Sequence, residues 1–391
     1  LADPPKIKFT TREIQDIYSF INKRDTTAVE VMVMKDSSHI RPTYILKRGV
    51  YDAHGDEVSF DLPEAILTFD AARYGNNRLG LARWLFDDAN PLTARVFVNR
   101  MWQEVFGRGL VKTAGDFGMQ GDIPSHPALL DWLAVDFKTH GWNIKRLMRQ
   151  LVVSATYRQS AQITKEKLAI DPENIWLSRA PRLRLSAEGV RDLALSSSDL
   201  LNKEIGGPSV KGYQPAGLWE SSTSGRGVLA HYIQDHGEKL YRRGLYNFIK
   251  RTVPPPGMLV FDASNRDQCE VRRLRTNTPL QSLLVMNDPA ILEASRVYAE
   301  RLSRRPLTDK ERIEIAFRGI LCRKPESDEL SQMMDYFQSE KLKFTAAPSL
   351  AEARLKVGEY PRSEGLDAAA TAALMQVIHT LYNLEETITK T

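Results

Sequence analysis

Apolar residues recur at helical spacing in three consecutive segments of the chain, at 92–106, 127–141 and 144–151. This period constrains the fold most, because it gives each segment one apolar face. The apolar positions are Val98, Met101, Trp102 and Val105 in the first segment, Leu130, Leu133, Ala134 and Phe137 in the second, and Ile144, Leu147, Met148 and Leu151 in the third. Connections this short predict that the three helices pack as one bundle.

Further helices and a few short strands are predicted on either side of this bundle. A capping box at Thr308 and Glu311 marks the start of one helix, and Pro289 is expected to kink or divide another. The predicted helices are 11–23, 186–201, 280–302, 309–320, 326–341 and 367–385, and the predicted strands are 29–34, 42–46 and 245–253. Residues 51–63, with Gly55 and paired acids, are predicted to form a loop.

The predicted fold class is therefore mainly α: a helical bundle with a small β element near the N-terminus and a long irregular middle segment. Four segments are predicted: an N-terminal linker with the β element (1–75), the three helices (76–160), an irregular, basic and loop-rich segment (161–279) and a C-terminal helical segment (280–391). Residues 76–391 are expected to form one compact unit. Because long irregular segments in compact proteins often carry function, the middle is where a site is expected.

Composition and termini narrow the class of protein. The chain is 42% hydrophobic and 26% charged, which is typical of a globular protein, and no apolar run is long enough to predict a membrane span. Cys269 and Cys322 are too few for a disulfide framework, so one bridge, a reactive thiol or plain buried cysteines all remain open. The start, Leu1-Ala-Asp-Pro-Pro, has neither an initiator Met nor a signal-peptide pattern, which predicts that an upstream part has been removed.

Positive charge is concentrated in residues 239–275, where nine Lys or Arg face three acids. Such a segment favours an anionic partner. Arginine forks bind carboxylate or sulfate through paired hydrogen bonds, and a nearby carboxylate could act as acid or base. Asp262 is therefore a candidate catalytic residue, and the candidate substrate-binding residues are Arg266, Arg272, Arg273, Arg275 and Asn277. Glu270 is a further candidate acid or base. The alternative is that these arginines pair with acids between helices and fasten irregular segments.

A second candidate site is the loop 213–220, which ends in Trp219 and Glu220. Trp219 could stack on a sugar ring, and Glu220 could pair with Asp262 as the two carboxylates of a glycosidase. The alternative interpretation is that Trp219 anchors the loop to the core. No metal site is predicted, because the spacing of His231, Asp235 and His236 matches no metal motif.

Several long stretches of this sequence resemble the C-terminal domain of a large family of uncharacterised bacterial proteins that is abundant in planctomycetes. The longest are NPLTARVFVNRMWQEVFGRGLVK at 90–112, YRRGLYNFIKRTVPPPG at 241–257 and RRLRTNTPLQSLLVMNDP at 272–289. Shorter ones lie at 116–118, 126–135, 154–161, 206–211, 213–221, 261–263 and 383–391. The resemblance implies an upstream domain, often a cytochrome c module carrying haem c, and a periplasmic, cell-surface or secreted location near polysaccharide-degrading functions. It implies no catalytic residues.

Two functions are compatible with these patterns. The first is an exported protein that binds or processes an anionic polysaccharide or oligosaccharide, with sulfated glycans included, at the arginine-rich middle segment. The second is a non-catalytic scaffold or partner-binding domain of a larger cytochrome-linked complex. No nucleic-acid partner is predicted, since no helix has the pattern of a basic recognition helix. No cofactor is predicted in this chain itself.

Overall fold

The computed structural model describes residues 10–23, 32–35, 41–222, 229–264 and 266–390. The chain divides into two compact units, Leu1–Pro91 and Leu92–Thr391. The described chain is built mainly from helices, with two small two-stranded sheets, which confirms the predicted fold class. Across the described residues, no helix is both long and apolar enough to cross a membrane.

The first unit contains a helix, a β-hairpin and two short helices: α1 (Thr11–Lys23), β1 (Thr43–Leu46), β2 (His54–Val58), α2 (Ala71–Tyr74) and α3 (Arg78–Leu85). The prediction of a loop over 51–63 is wrong at its centre, where β2 pairs antiparallel with β1. Most of β2 is solvent-exposed, so it has no apolar alternation from which a strand could be predicted. The first half of the predicted strand at 29–34 lies outside the described residues, and its described half, 32–34, is not a strand.

The second unit begins with the three helices that the apolar period predicts, followed by two short ones: α4 (Leu92–Phe106), α5 (Pro127–Thr139), α6 (Ile144–Val153), α7 (Ala155–Arg158) and α8 (Lys165–Ile170). Val98, Leu133 and Leu147 are buried in one hydrophobic cluster between the first three. An ion pair between Arg146 and Asp136 fastens α6 to α5. The sequence pattern therefore locates these helices and the faces that they bury.

A larger cluster fills the rest of this unit. Its elements are β3 (Leu183–Arg184), α9 (Ala187–Ser197), α10 (Leu218–Ser222), α11 (Pro256–Val260), α12 (Pro279–Asn287), α13 (Pro289–Ser303), α14 (Asp309–Leu321), α15 (Ser327–Ala346), α16 (Pro348–Arg354), α17 (Ala368–Tyr382), α18 (Glu385–Ile388) and β4 (Thr389–Lys390), with β3 paired to β4. Helix α17 lies at the centre, in contact with α13, α14, α15 and α16. Its Leu374, Met375 and Ile378 are fully buried, as expected for a helix that is apolar on most of its surface.

The middle segment holds the remaining differences from prediction. Residues 245–253 do not form the predicted strand: Gly244–Tyr246 is a 3₁₀ turn, and only isolated bridges at Asn247 and Lys250 follow among the described residues. A run of β-forming residues cannot become a strand without a neighbouring strand to pair with. Pro289 divides the long C-terminal pattern as predicted, because α12 ends at Asn287 and Asp288 caps α13.

Candidate functional site

The predicted catalytic residue Asp262 holds the exposed basic segment in place. Asp262 and Arg266 both have the left-handed backbone conformation, with φ of 57° and 61°. The Asp262 carboxylate accepts hydrogen bonds from the backbone N–H of Thr276, at 2.7 Å, and from its hydroxyl, at 2.8 Å. These bonds close the segment into a loop between α11 and α12. Two clefts lie beside this loop. Arg266 and Asn277 are exposed on the loop and line neither cleft.

Arg272 and Arg275 lie between two adjoining clefts. We call the first, with a volume of about 370 Å³, the arginine cleft; it is lined by Arg108, Arg179, Arg182, Arg272 and Arg275, together with Glu173, Trp102, Phe106 and backbone around Gly107. Among the described residues that line it, Glu173 is the one carboxylate. The lining of this cleft is therefore strongly cationic.

The guanidinium groups of the arginine cleft are held in different ways. Arg108 pairs with Glu173 at 2.6 Å, Arg182 pairs with Glu385 at 2.9 Å, and Arg275 approaches Glu104 at 3.9 Å. Arg179 is buried and donates to the backbone carbonyls of Asp171 and Pro172. Arg272 is exposed and forms no ion pair with any residue that the structure describes. Its guanidinium is the one most available to an incoming anion.

The second cleft, of about 480 Å³, has balanced charges. Arg100, Arg184, Arg272, Arg273 and Arg275 line it together with Glu104, Glu188, Asp192, Asp262 and Glu270. Arg273 donates two hydrogen bonds to Glu188, at 2.8 and 3.0 Å. Burial raises the pKa of the Glu188 carboxyl, but these bonds outweigh it and hold that pKa below its ordinary value. Arg273 therefore pairs with an acid and fastens the loop to α9, as the alternative interpretation of these arginines has it.

Trp219 and Glu220 line neither cleft. Trp219 is 1% exposed, with the Lys250 ammonium 4.5 Å from its ring centroid and Tyr232 packed edge-on at 5.1 Å. The buried position of Trp219 is that of a residue that anchors its loop. Glu220 accepts a hydrogen bond from the backbone N–H of Tyr232 and lies 3.4 Å from His231, and backbone hydrogen bonds lower the pKa of its carboxyl. Glu220 and Asp262 share none of the described cavities.

A third cavity, larger than either cleft, was not predicted from the sequence. This central cavity, of about 650 Å³, lies between α9, α11, α12 and the loop 210–215. Burial raises the pKa of the Asp288 carboxyl, lowers the pKa of the Arg191 guanidinium, and raises the pKa of Tyr232 to about 12. The loop holding Tyr213 was singled out for its aromatic residues, but Arg191 and Asp288 have the sequence context of ordinary helix residues.

The histidines of the middle segment are engaged by acids on the surface. His236 lies 2.8 Å from Glu359, and His231 lies beside Glu220. Within the described ranges, no cluster of three or more His, Cys, Asp or Glu side chains is arranged to hold a metal ion. Cys269 and Cys322 are both free and exposed.

Comparison with protein families gives a match over most of the second unit and part of the first. A family model described as PSD1, protein of unknown function (DUF1553), matches residues 77–337. No curated protein and no solved structure matches the chain significantly. The matched region is about two thirds of the chain and contains all the lining residues of the arginine cleft and of the central cavity. The chain therefore belongs to the PSD1 family of proteins of unknown function (DUF1553).

Proposed function

We propose that this domain binds an anionic oligosaccharide, or a segment of an anionic polysaccharide, at the arginine cleft. The observation that carries the proposal is the lining of that cleft, where five arginines accompany a single glutamate among the described residues. Guanidinium groups bind sulfate and carboxylate through paired, charge-assisted hydrogen bonds. The resemblance to exported proteins that work near polysaccharide-degrading functions supports a glycan as the anion.

The geometry favours binding over hydrolysis. A glycosidase needs two carboxyl groups on either side of one bond, roughly 5–9.5 Å apart. Glu220 and Asp262 line no common cavity, and both Asp262 oxygens accept hydrogen bonds from Thr276. Catalysis by Glu220 and Asp262 stays a prediction. The test uses a polysaccharide that the protein cleaves, and the Asp262→Asn variant should release no product from it.

The setting of the domain is part of the same proposal. We infer a periplasmic, cell-surface or secreted location and a neighbouring upstream domain, in some relatives a module with haem c. The support is the resemblance of residues 90–112, 241–257 and 272–289 to exported proteins with that arrangement. A haem stain of the natural full-length protein tests the cytochrome link directly.

The test compares sulfated and neutral polysaccharides. We expect the protein to bind heparin or chondroitin sulfate and not dextran, with an affinity that falls as NaCl screens the charges. Arg272→Gln and Arg275→Gln should each weaken binding about tenfold, since each removes a charged donor. The measurement is the Kd from isothermal titration calorimetry.

Arg266→Gln is the matched control, because Arg266 lies on the same exposed loop but outside the cleft. All three substitutions remove one positive charge from the protein. If Arg266→Gln weakens binding as much as Arg272→Gln, the attraction comes from overall charge and the site is wrong. Absence of binding to every sulfated polysaccharide would also contradict the proposal.

A partner-binding role is a second candidate, favoured by an exposed apolar row on α12. Leu280, Leu283 and Met286 lie on one face of this helix and are each at least half exposed. Exposed apolar rows of this kind often mark protein interfaces. If the upstream domain, produced separately, binds this chain, Met286→Asp should abolish that binding and leave polysaccharide binding unchanged.

A further inference from the structure

The walls of the central cavity are apolar and aromatic along most of their length. They include Val190 and Ala194 of α9, Phe248, and Met258 and Phe261 around α11. Its volume of about 650 Å³ falls within the range of roughly 300–1,000 Å³ that is usual for small-molecule sites. An apolar body of a ligand can therefore be accommodated.

Two half-buried side chains of opposite charge line the cavity. Arg191 donates to the backbone carbonyl of Leu240, and one oxygen of Asp288 accepts from the first backbone N–H groups of α13. The second Asp288 oxygen has no hydrogen-bond donor among the described residues and faces Gly257, where it lies 3.6 Å from the position of a Cβ. Arg191 and Asp288 form no direct ion pair in the described structure, so each keeps bonding capacity toward the cavity.

Unpaired polar atoms also line this cavity. The Nε2 atom of Gln214, the Oδ1 atom of Asn247 and the Nε atom of Arg191 are buried, and none has a hydrogen-bond partner among the described residues. All three side chains line the cavity. Because folded proteins rarely leave buried polar atoms unpaired, such atoms indicate a functional constraint.

The arrangement selects a chemical class of ligand. Asn247 and Asp288 offer acceptors, whereas Arg191 and Gln214 offer donors, and a hydroxyl group satisfies both kinds because it donates and accepts. A bare anion would meet Asp288 and a bare cation would meet Arg191. Lys211 also lines the cavity, but its ammonium lies over the aromatic rings of Phe248 and Trp219, at 5.5 and 5.6 Å.

We propose that the central cavity is a binding site for an uncharged molecule with an apolar body and hydroxyl groups. The hydroxyl groups contact Arg191, Gln214, Asn247 and Asp288, and the apolar body lies against the walls formed by α9 and α11. This site is separate from the arginine cleft, since the two cavities share no lining residue. Failure of either proposal leaves the other intact.

The experiment uses three probes with one hexyl chain and different head groups. Hexyl β-D-glucoside is the neutral probe, and hexyl sulfate and hexyltrimethylammonium are the charged ones, all below micelle-forming concentrations. Binding to the full chain is measured by calorimetry and by saturation-transfer NMR. We expect the glucoside to bind at least tenfold more tightly than either charged probe. Equal or tighter binding of a charged probe, or no binding of the glucoside, would overturn the proposal.

Two variants locate the binding. Gly257→Leu adds a side chain beside Asp288, where a Cβ makes only ordinary contacts of 3.6–3.9 Å, and it should abolish glucoside binding by filling the cavity. Gln214→Met removes an unpaired donor and should weaken binding about fivefold, without lowering the Tm. This second variant keeps the test decisive if the first does not fold.

Gln150→Met is the matched control, because Gln150 also has a buried, unpaired amide atom but lies on α6, outside the cavity. It should leave glucoside binding unchanged. If Gln214→Met and Gln150→Met have the same effect on binding, the glucoside binds elsewhere and the proposal fails.

Discussion

Individual buried polar residues fasten the loops that surround the helical core. Glu293, which is 1% exposed, accepts hydrogen bonds from the hydroxyls of Tyr213 and Tyr241 and from the backbone N–H of Tyr360. Arg296, one turn later, donates to Glu300 and to backbone carbonyls of the 357–360 loop. Because removal of one partner would leave a buried charge unpaired, we regard this network as structural. It also fixes Tyr213 at the rim of the central cavity.

His379 makes stability depend on pH at the residue scale. It is buried on α17 with Nε2 3.1 Å from the carbonyl of Val285, and burial lowers the pKa of its imidazole. The unfolded state therefore takes up a proton first. Its contribution to stability is complete above the unfolded pKa of about 6.5 and is lost as the pH falls toward the folded pKa. We expect the free energy of unfolding to decrease between pH 7 and 5, by at most about 1.4 kcal/mol per pH unit.

The measurement is urea unfolding at several pH values. His379→Gln keeps a donor for the Val285 carbonyl but does not titrate, so its free energy of unfolding should change less over this interval. His231→Gln, at an exposed position, should retain the wild-type slope. Equal slopes for all three proteins would show that other groups cause the pH dependence.

The sequence predicted some residues of the sites and missed others. Arg272 and Arg275 were predicted from local charge density, and both line the arginine cleft. Their companions Arg108, Arg179 and Arg182 were not, because they come from other parts of the chain and only folding brings them together. Local composition identifies a charged segment, but it does not identify which distant side chains complete a cavity.

At the scale of elements, close helix packing depends on single small residues. Helix α14 meets α13 where Gly319 faces Tyr298, and a Cβ on Gly319 would lie 2.2 Å from the Tyr298 hydroxyl oxygen. Tyr298 is buried and donates to the carbonyl of Ile315. Its ring has little room to move, so the glycine sets the distance between the two helices.

We therefore expect Gly319→Ala to destabilise the protein by about 1–3 kcal/mol, although alanine favours an isolated helix over glycine by up to about 1 kcal/mol. Chemical denaturation measures the change. Adding Tyr298→Phe removes the clashing oxygen and should restore part of the loss. If Gly319→Ala is neutral or stabilising, the two helices have room to separate and the packing argument is wrong.

Elements with a strong apolar period were predicted well, and elements without one were not. The period and start signals located α4, α5 and α14, because a helix that packs on a core needs an apolar face at fixed spacing. Helix α11 and strand β2 were missed. Each is only five residues long, so its formation depends on neighbouring chain segments more than on its own sequence.

At the scale of the whole molecule, the chain forms two compact units with a boundary after Pro91. Both large hydrophobic clusters, the arginine cleft and the central cavity belong to the second unit. The family match begins earlier, at residue 77, and so includes α3 of the first unit. The boundary of the compact units predicts an independently stable domain that begins at Leu92, whereas the family match predicts one that begins near residue 77.

We expect a chain beginning at Leu92 to fold alone, because the hydrophobic clusters of its helices are complete within it. Calorimetry should give one cooperative transition, with a Tm within about 3 °C of the full chain, close to the shift that about 1 kcal/mol produces in a large domain. A chain beginning at residue 76 is the comparison. If only the longer chain unfolds cooperatively, residues 76–91 are an integral part of the domain.

The sequence by itself determined the helical class, the position of most long helices and the concentration of positive charge in the middle segment. Those features are local, because apolar period, capping residues and charge density act over a few turns of chain. Only the tertiary structure decided that Glu220 and Asp262 line no common cavity and that Trp219 is buried. It also decided that Arg191 and Asp288 both line the central cavity. These relations join residues tens of positions apart, and no local pattern encodes the distance between them.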